Sequence, residues 1–237
     1  SPNAKYIIYY NAKDSSWYSI NNGTRIHTNL TKNLSVSFAN EDHDTPSLPG
    51  NYGYLGWSKS GKHFFVSDRY DIWKLDAEGK EAPKNLTKNF GRISKIRLSV
   101  QWVNYDQQYF DEFDFIYLKG FNEATKQSGY YSYKFSVQEG PIPLLISDHY
   151  YHSLEKAKNN DRIIWKRMSF KDFPELYTTD ASFGNLRQLT QTNPQQLDYN
   201  WGTVELTKWK AYDGTELSGL IYKPENFDST KKYPMIV

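Results

Sequence analysis

Cysteine is absent from the 237-residue chain, and methionine occurs only twice. The lack of cysteine excludes disulfide bonds and thiolate metal sites, but it fits the cytosol and a bacterial periplasm equally well. No apolar run approaches the roughly 18 residues that a membrane-spanning helix needs. No charged segment followed by an apolar one opens the chain. We therefore expect no membrane insertion.

An excess of charge of one sign is also missing. The chain has 29 basic and 27 acidic residues, which give a formal charge of +2. This balance provides no electrostatic field that would attract nucleic acid or an anionic membrane surface. Neither is expected as a partner.

Aromatic residues, in contrast, are abundant. They make up 17% of the chain and include 20 tyrosines, within a hydrophobic total of 38%. Tyrosine has an apolar body and a polar tip, which suits half-exposed strands. The composition therefore predicts an ordered, mostly β protein with much solvent-facing sheet.

One sequence unit recurs along the chain and is clearest in residues 57–87. It begins with Trp57 and Ser58 and continues through two strands with a turn between them. After a glycine turn, a third short strand closes the unit at Leu86 and Thr87. Three short strands at this spacing predict an antiparallel meander.

Four copies of the unit share the order aromatic strand, glycine turn, then Leu or Ile followed by Thr or Ser. Further strands are predicted before the third and fourth hairpins, at Phe113–Leu118 and Arg162–Lys166. Repeats of about 40 to 50 residues with four strands each are typical of propeller blades, and a generic β-sandwich is the alternative. The copies close 56, 60 and 43 residues apart, at Leu30, Leu86, Ile146 and Leu189.

The pattern changes at residue 203. Two strands, Val204–Tyr212 and Glu216–Tyr222, flank an Asp-Gly pair that suits a tight hairpin. The final run, Tyr233–Val237, has the continuous apolar character of a central strand in an α/β sheet. We expect one domain over residues 1–202 and a second, truncated one over residues 203–237. Because Ser1 aligns with Ser58 of the repeat, the chain is expected to begin inside a blade.

Two sets of motifs resemble the prolyl oligopeptidase family of serine peptidases, in particular its dipeptidyl-peptidase-IV-like and acylaminoacyl-peptidase-like branches of Bacteroidetes type. They are W-S-x-S-G-K with D-R-Y-D-I-W-K-L-D at residues 57–76, and W-K-A-Y-D-G-T-E-L-S-G-L-I-Y-K-P with K-K-Y-P-M-I-V at residues 209–237. The resemblance implies a partial β-propeller of about four blades, followed by the first strands of an α/β-hydrolase domain. It also implies a periplasmic or secreted enzyme that uses no dissociable cofactor.

The same resemblance implies that the propeller filters substrates by size and that the parent enzyme cleaves short peptides through a serine ester. The alternative is a TolB-like or scaffold propeller that binds proteins or peptides. A sialidase-type propeller ranks last, because such turns carry an aromatic residue after the glycine and Lys62 follows Gly61 here. A partial ring would expose two flat blade faces, so a homodimer or a larger parent protein is expected.

The family's nucleophile motif, G-x-S-x-G, does not occur in the sequence. The nearest stretch contains Ser58, but Ser60 stands where the second glycine belongs, and the repeat places Ser58 in a blade turn. The catalytic residues are therefore expected beyond Val237, and this chain alone should be inactive.

Two polar clusters contain residue types that can bind a metal ion. Zinc usually needs three or four convergent ligands, and neither cluster supplies a complete set by its spacing. No metal site is therefore assigned. The clusters are Asp148 with His149 and His152, and Glu41, Asp42, His43 and Asp44.

Three acidic residues, Asp111, Glu112 and Asp114, are expected near a blade edge. In dipeptidyl-peptidase relatives an acidic pair binds the amino terminus of the substrate. The family motif does not match here, so a solvated rim is favoured and the residues that contact substrate stay unassigned. Four Asn-x-Ser/Thr sequons also occur, beginning at Asn22, Asn29, Asn33 and Asn85. Where a sequon includes a Leu-Thr pair, the repeat is sufficient to explain it.

Overall fold

The computed structural model of the protein describes residues 1–103, 106–110, 114–134, 136–137 and 139–236. Nearly all the regular structure in these residues is antiparallel β-sheet, which confirms the predicted all-β class. The described residues form one sheet of three strands, three sheets of four strands and one of two strands. They contain no helix that is long and apolar enough to cross a membrane.

The sheets follow one another in chain order. The first sheet contains β1 (Tyr6–Asn11), β2 (Ser16–Asn21) and β3 (His27–Asn29), and the second contains β4 (Tyr54–Trp57), β5 (His63–Ser67), β6 (Ile72–Asp76) and β7 (Lys84–Asn85). The third contains β8 (Ile96–Gln101), β9 (Phe115–Asn122), β10 (Ser128–Lys134) and β11 (Ile142–Ser147), and the fourth contains β12 (Tyr150–Lys156), β13 (Ile163–Met168), β14 (Glu175–Thr179) and β15 (Arg187–Gln188). The remaining elements are α1 (Phe90–Ser94), a 3-10 helix (Pro194–Asp198), β16 (Thr203–Lys210) and β17 (Glu216–Lys223).

The four sheets pack face to face in series, because each inner sheet is apolar on both faces. In β5, Phe64 and Val66 pack against the first sheet, whereas Phe65 packs against the third. In β9, Leu118 belongs to the core shared with the second sheet and Tyr117 to the core shared with the fourth. Successive side chains of a strand point to opposite faces, so one strand contributes to two cores. Consecutive propeller blades pack in this way, whereas the two sheets of a sandwich share one core.

The repeated Leu-Thr pair closes the first, second and fourth meanders through two contacts with one backbone position. The amide of Leu86 donates to the carbonyl of Ile72 at 2.8 Å, and the amide of Ile72 donates to the hydroxyl of Thr87 at 3.2 Å. The repeat therefore encodes the pairing of the last strand with the one before it. The same two bonds occur in the first sheet at Leu30, Thr31 and Trp17, and in the fourth at Leu189, Thr190 and Leu176.

The D-R-Y-D motif forms the turn between β5 and β6. The buried carboxylate of Asp68 accepts hydrogen bonds from the amides of Tyr70 and Asp71, both at 2.7 Å, and from the indole of Trp73 at 2.9 Å. It also pairs with Arg92 of α1 at 3.0 Å. These bonds satisfy a charge that would otherwise be costly to bury, and they fix the turn relative to the next sheet.

The first strands of the third and fourth sheets, β8 and β12, were not predicted from the sequence. β8 ends at Gln101. His152 lies within β12, and His149 directly precedes that strand's first residue, Tyr150. β8 alternates apolar and polar residues but contains no aromatic residue, and in β12 polar residues follow the two tyrosines. Neither strand therefore repeats the aromatic strand of the other copies.

The tail forms the predicted hairpin but not the predicted final strand. β16 and β17 pair with each other around Gly214, whose φ of +85° favours glycine. Tyr233–Ile236 is not in a strand, and Ile236 is 99% exposed. The central strand stays a prediction for these residues, because its partner strands are expected beyond Val237, which itself lies outside the described residues.

We predict that the buried hydroxyl of Thr87 stabilises the fold. Thr87 is 0% exposed, and its hydroxyl also donates to Asp71 at 2.6 Å. Thr87→Val keeps the shape but leaves these partners unsatisfied, so the free energy of unfolding should fall by about 1 to 3 kcal/mol in a denaturant titration. Thr125→Val, in the exposed β9–β10 turn, is the control and should change it little. Equal effects would contradict the closing role of Thr87.

Candidate functional site

A cleft of about 1120 Å³ lies between the third and fourth sheets. Its walls come from the first half of β9 and from the segments that follow β8, β12 and β14. An apolar wall with a few polar groups is typical of a site for a small ligand or peptide. The lining includes the apolar residues Val103, Phe115, Tyr117 and Leu144 and the polar residues Gln107, Ser132, Asn159 and Ser182.

Tyr117 holds the two walls of the cleft together. Its side chain is 3% exposed, and its hydroxyl donates to the carbonyl of Ala181 at 2.9 Å. Burial raises the pKa of Tyr117 to about 12, so the hydroxyl stays a neutral donor near neutral pH. The ring of Phe115 meets that of Tyr117 edge to face at 5.1 Å and is itself 53% exposed. The cleft therefore has a fixed floor and one accessible aromatic face.

Charged groups stand at the rim of the cleft. Lys158 pairs with Asp106 at 2.7 Å, and both side chains are largely exposed. Gln107 donates to Asp114 at 2.7 Å, which places one of the three predicted acidic residues beside the cleft. Asp111 and Glu112 lie outside the described residues.

A second polar feature is a ring of four alternating charges, formed by Asp42, Arg69, Arg97 and Glu123. Arg69 pairs with Asp42 at 2.8 Å and with Glu123 at 2.7 Å, and Arg97 pairs with Asp42 at 2.7 Å and also with Glu123. The four residues come from the loop before the second sheet, from the second sheet and from the third. This charged ring therefore ties neighbouring sheets together at one end.

Glu123 is the most strongly held member of the charged ring. Burial alone would raise its pKa, but hydrogen bonds from Tyr70, Arg69 and Arg97 outweigh this and lower the pKa to about 2. The Tyr70 hydroxyl donates to it at 2.5 Å. Both carboxylates of the ring are thus neutralised by guanidinium groups within the protein.

The acidic cluster at residues 41–44 does not converge on one point. Asp42 faces the charged ring, whereas Glu41 accepts a hydrogen bond from Tyr52 at 3.3 Å. His43 contacts Ser47 at 3.0 Å within its own loop. In the described part of the chain, no three His, Cys, Asp or Glu side chains are grouped as metal ligands.

His149 and His152 also diverge. The His149 ring lies near Tyr151 and contacts Asp172 at 3.0 Å, whereas His152 lies near Tyr150 and contacts Ser153 at 3.0 Å. Because each imidazole contacts a different partner, these two rings do not converge on one point.

Ser58 lies in the turn between β4 and β5, as the repeat predicted. Its hydroxyl accepts from the amide of His63 at 3.0 Å and contacts Ser60 at 3.0 Å. The imidazole of His63 points to Glu81 instead, at 3.2 Å. Ser1 makes the same contact with the amide of Tyr6 at 2.8 Å, which supports the aligned register of the two copies.

Sequence reasoning missed the charged ring and the cleft. Arg69 lies inside a quoted motif, but its partners Asp42 and Glu123 are 27 and 54 positions away. No local pattern joins residues at such separations. The cleft depends on segments from two sheets that are distant in sequence, so no local pattern indicates it.

We predict that the charged ring makes stability depend on pH. The pKa of Glu123 is lowered from 4.5 to about 2, so its contribution is present above pH 4.5 and is lost as the pH falls toward 2. Glu123→Gln should lower the free energy of unfolding by about 2 kcal/mol at pH 7, and the difference should shrink below pH 4. Glu78→Gln, which breaks an exposed pair with Lys80, is the control. A difference that stays constant down to pH 2.5 would contradict this account.

No protein-family profile matches the chain, and no curated protein matches it in sequence. Solved structures do match. A crystal structure from Bacteroides ovatus, described as a candidate dipeptidyl aminopeptidase IV, aligns with 98% of this chain and 34% of its own, with a TM-score of 0.59 and 17% identity.

Two structures of prolyl oligopeptidase B from Galerina marginata, bound to a 35mer hydrolysis and macrocyclization substrate, show a similar likeness. They align with 95% and 94% of this chain and 31% and 29% of their own, with TM-scores of 0.50 and 0.51 and identities of 12% and 11%. These structures match the resemblance that the motifs indicated. The chain has the fold of a segment that is about a third of the length of such peptidases.

Proposed function

We propose that this chain is the propeller-side part of a serine peptidase of the prolyl oligopeptidase type. The observation that carries the proposal is the alignment of 98% of the chain, the β16–β17 hairpin included, with the Bacteroides ovatus structure. A propeller that served only as a scaffold would not need to share the hairpin. The motifs of residues 57–76 and 209–237 support the same assignment.

In this proposal the catalytic groups lie outside the 237 residues. A serine oxygen attacks the peptide carbonyl carbon, the amine leaves with a proton, and water then hydrolyses the ester. The sheets of this chain restrict access by size, and the cleft between the third and fourth sheets contacts the peptide. Its aromatic face at Phe115 suits an apolar side chain, and the Lys158–Asp106 pair can rearrange to meet a peptide terminus.

Labelling with a fluorophosphonate probe tests the peptidase assignment. In the complete encoded protein, we expect the probe to modify one serine outside these 237 residues and to leave Ser58 unmodified, as mapped by peptide mass spectrometry. Ser58 is 8% exposed, and its hydroxyl is already bound in a turn. A complete protein that stays unlabelled but binds peptides would favour the scaffold alternative, and labelling at Ser58 would contradict both the turn assignment and the proposal.

The role of the cleft is tested by truncating its exposed aromatic face. Phe115→Ala in the complete protein should raise KM for short peptides about fivefold to tenfold and leave kcat nearly unchanged, because the residue would contribute to binding and not to chemistry. Phe121→Ala is the matched control, since Phe121 lies on the same strand, is 38% exposed and does not line the cleft. Equal kinetic effects of the two changes would exclude the cleft as the contact site.

A further inference from the structure

A chain of hydrogen bonds crosses from the third sheet to the fourth, away from the cleft and the charged ring. The Tyr151 hydroxyl contacts the Ser147 hydroxyl at 2.6 Å, and Ser147 contacts Nδ1 of His149 at 2.7 Å. Nε2 of His149 then contacts the carboxylate of Asp172 at 3.0 Å. Asp172 lies in the turn between β13 and β14. The third sheet is therefore joined to this turn through one imidazole.

The direction of the hydrogens follows from the carboxylate. An ionised carboxylate only accepts, so Nε2 carries a hydrogen, and in the neutral ring Nδ1 accepts from Ser147. Hydrogen bonds from the Ser169 hydroxyl, which has the larger effect, and from His149 hold the pKa of Asp172 below its ordinary value. Although the order serine, histidine, aspartate is that of a nucleophile relay, the buried Tyr151 also holds the Ser147 oxygen. The arrangement is suited to positioning the turn.

The opposite side of the same turn carries the hairpin. The ring of Phe170 lies 5.2 Å from that of Tyr222 on β17 and 6.1 Å from that of Trp201. The indole of Trp201 donates to the carbonyl of Phe170 at 2.7 Å. Gln196 of the 3-10 helix donates to the carbonyl of Lys171 at 2.7 Å. Residues 169–172 thus lie between His149 and the base of the hairpin.

We propose that the turn of residues 169–172 is a joint that couples the third and fourth sheets to the β16–β17 hairpin, with His149 as the residue that positions it. The contact of Nε2 with Asp172 holds residues 169–172 close to the end of the third sheet. The importance of this coupling for activity rests on the proposed function, in which the hairpin leads to the catalytic segment.

Hydrogen exchange in the complete protein tests the joint. We expect His149→Ala to speed exchange of the Trp201 indole and of the β16–β17 amides about fivefold, the size of effect that the loss of one hydrogen bond allows. Exchange of the β13 and β14 amides should change little. His152→Ala, in the same segment, is the matched control and should have no effect on the hairpin. No change in the hairpin, or an equal change in β13 and β14, would overturn the proposal.

A second variant tests the hydrogen bond itself. His149→Gln keeps a side-chain donor for Asp172, so its hairpin should exchange at close to the wild-type rate, unlike that of His149→Ala. A hairpin that exchanges as fast in His149→Gln as in His149→Ala would overturn the positioning role of this hydrogen bond. Fluorophosphonate labelling does not depend on His149, so failure of the joint and failure of the peptidase assignment are distinguishable.

Discussion

The fold depends on strands that are apolar on both faces. A strand with one apolar face can only cover a single core, but β5 offers Phe64 and Val66 to one neighbour and Phe65 to the other. β9 does the same with Leu118 and Tyr117. Full burial of such a side chain contributes about 1.5 to 3 kcal/mol to stability. A sheet without a neighbour would lose this contribution from every side chain on its uncovered face. Serial stacking of the sheets follows from this two-sided pattern.

Because both faces of the inner sheets are buried, the polar groups at the ends of the strands need hydrogen-bond partners within the protein. In the second sheet, the almost fully buried side chains of Asp68 and Thr87 accept hydrogen bonds from backbone amides. The charged ring and the His149–Asp172 contact lie at the edges, where side chains from neighbouring sheets meet. The cleft lies where the segments after β8, β12 and β14 meet the strands of the third sheet. Features that could serve binding or coupling are thus found where the apolar packing ends.

The sequence predicted features that local chemistry determines. The glycine turn and the Leu-Thr pair marked the meanders because each has a backbone role, as at Leu86 and Thr87. The Asp213-Gly214 hairpin followed from the positive φ that glycine accepts. β12 was missed because a mixed polar strand that contains His152 resembles a loop in composition.

Long-range contacts could not be predicted in the same way. The charged ring joins Arg69 to Glu123 across two sheets, and nothing near either residue indicates the other. The cleft likewise depends on how far apart two loops come to lie. The final apolar run was predicted as a strand from composition alone, but a strand also needs a partner, and Tyr233–Ile236 has none among the described residues. Pairing, unlike propensity, is decided by the whole fold.

The most direct test of the serial packing is a nuclear Overhauser experiment on two residues of the second sheet. Val66 belongs to the core with Trp17, and Ile72 belongs to the core with Leu118. The account predicts cross-peaks between Val66 and Trp17 and between Ile72 and Leu118, with none between Val66 and Leu118. Cross-peaks from both Val66 and Ile72 to the same neighbouring sheet would contradict it, because the second sheet would then have only one buried face.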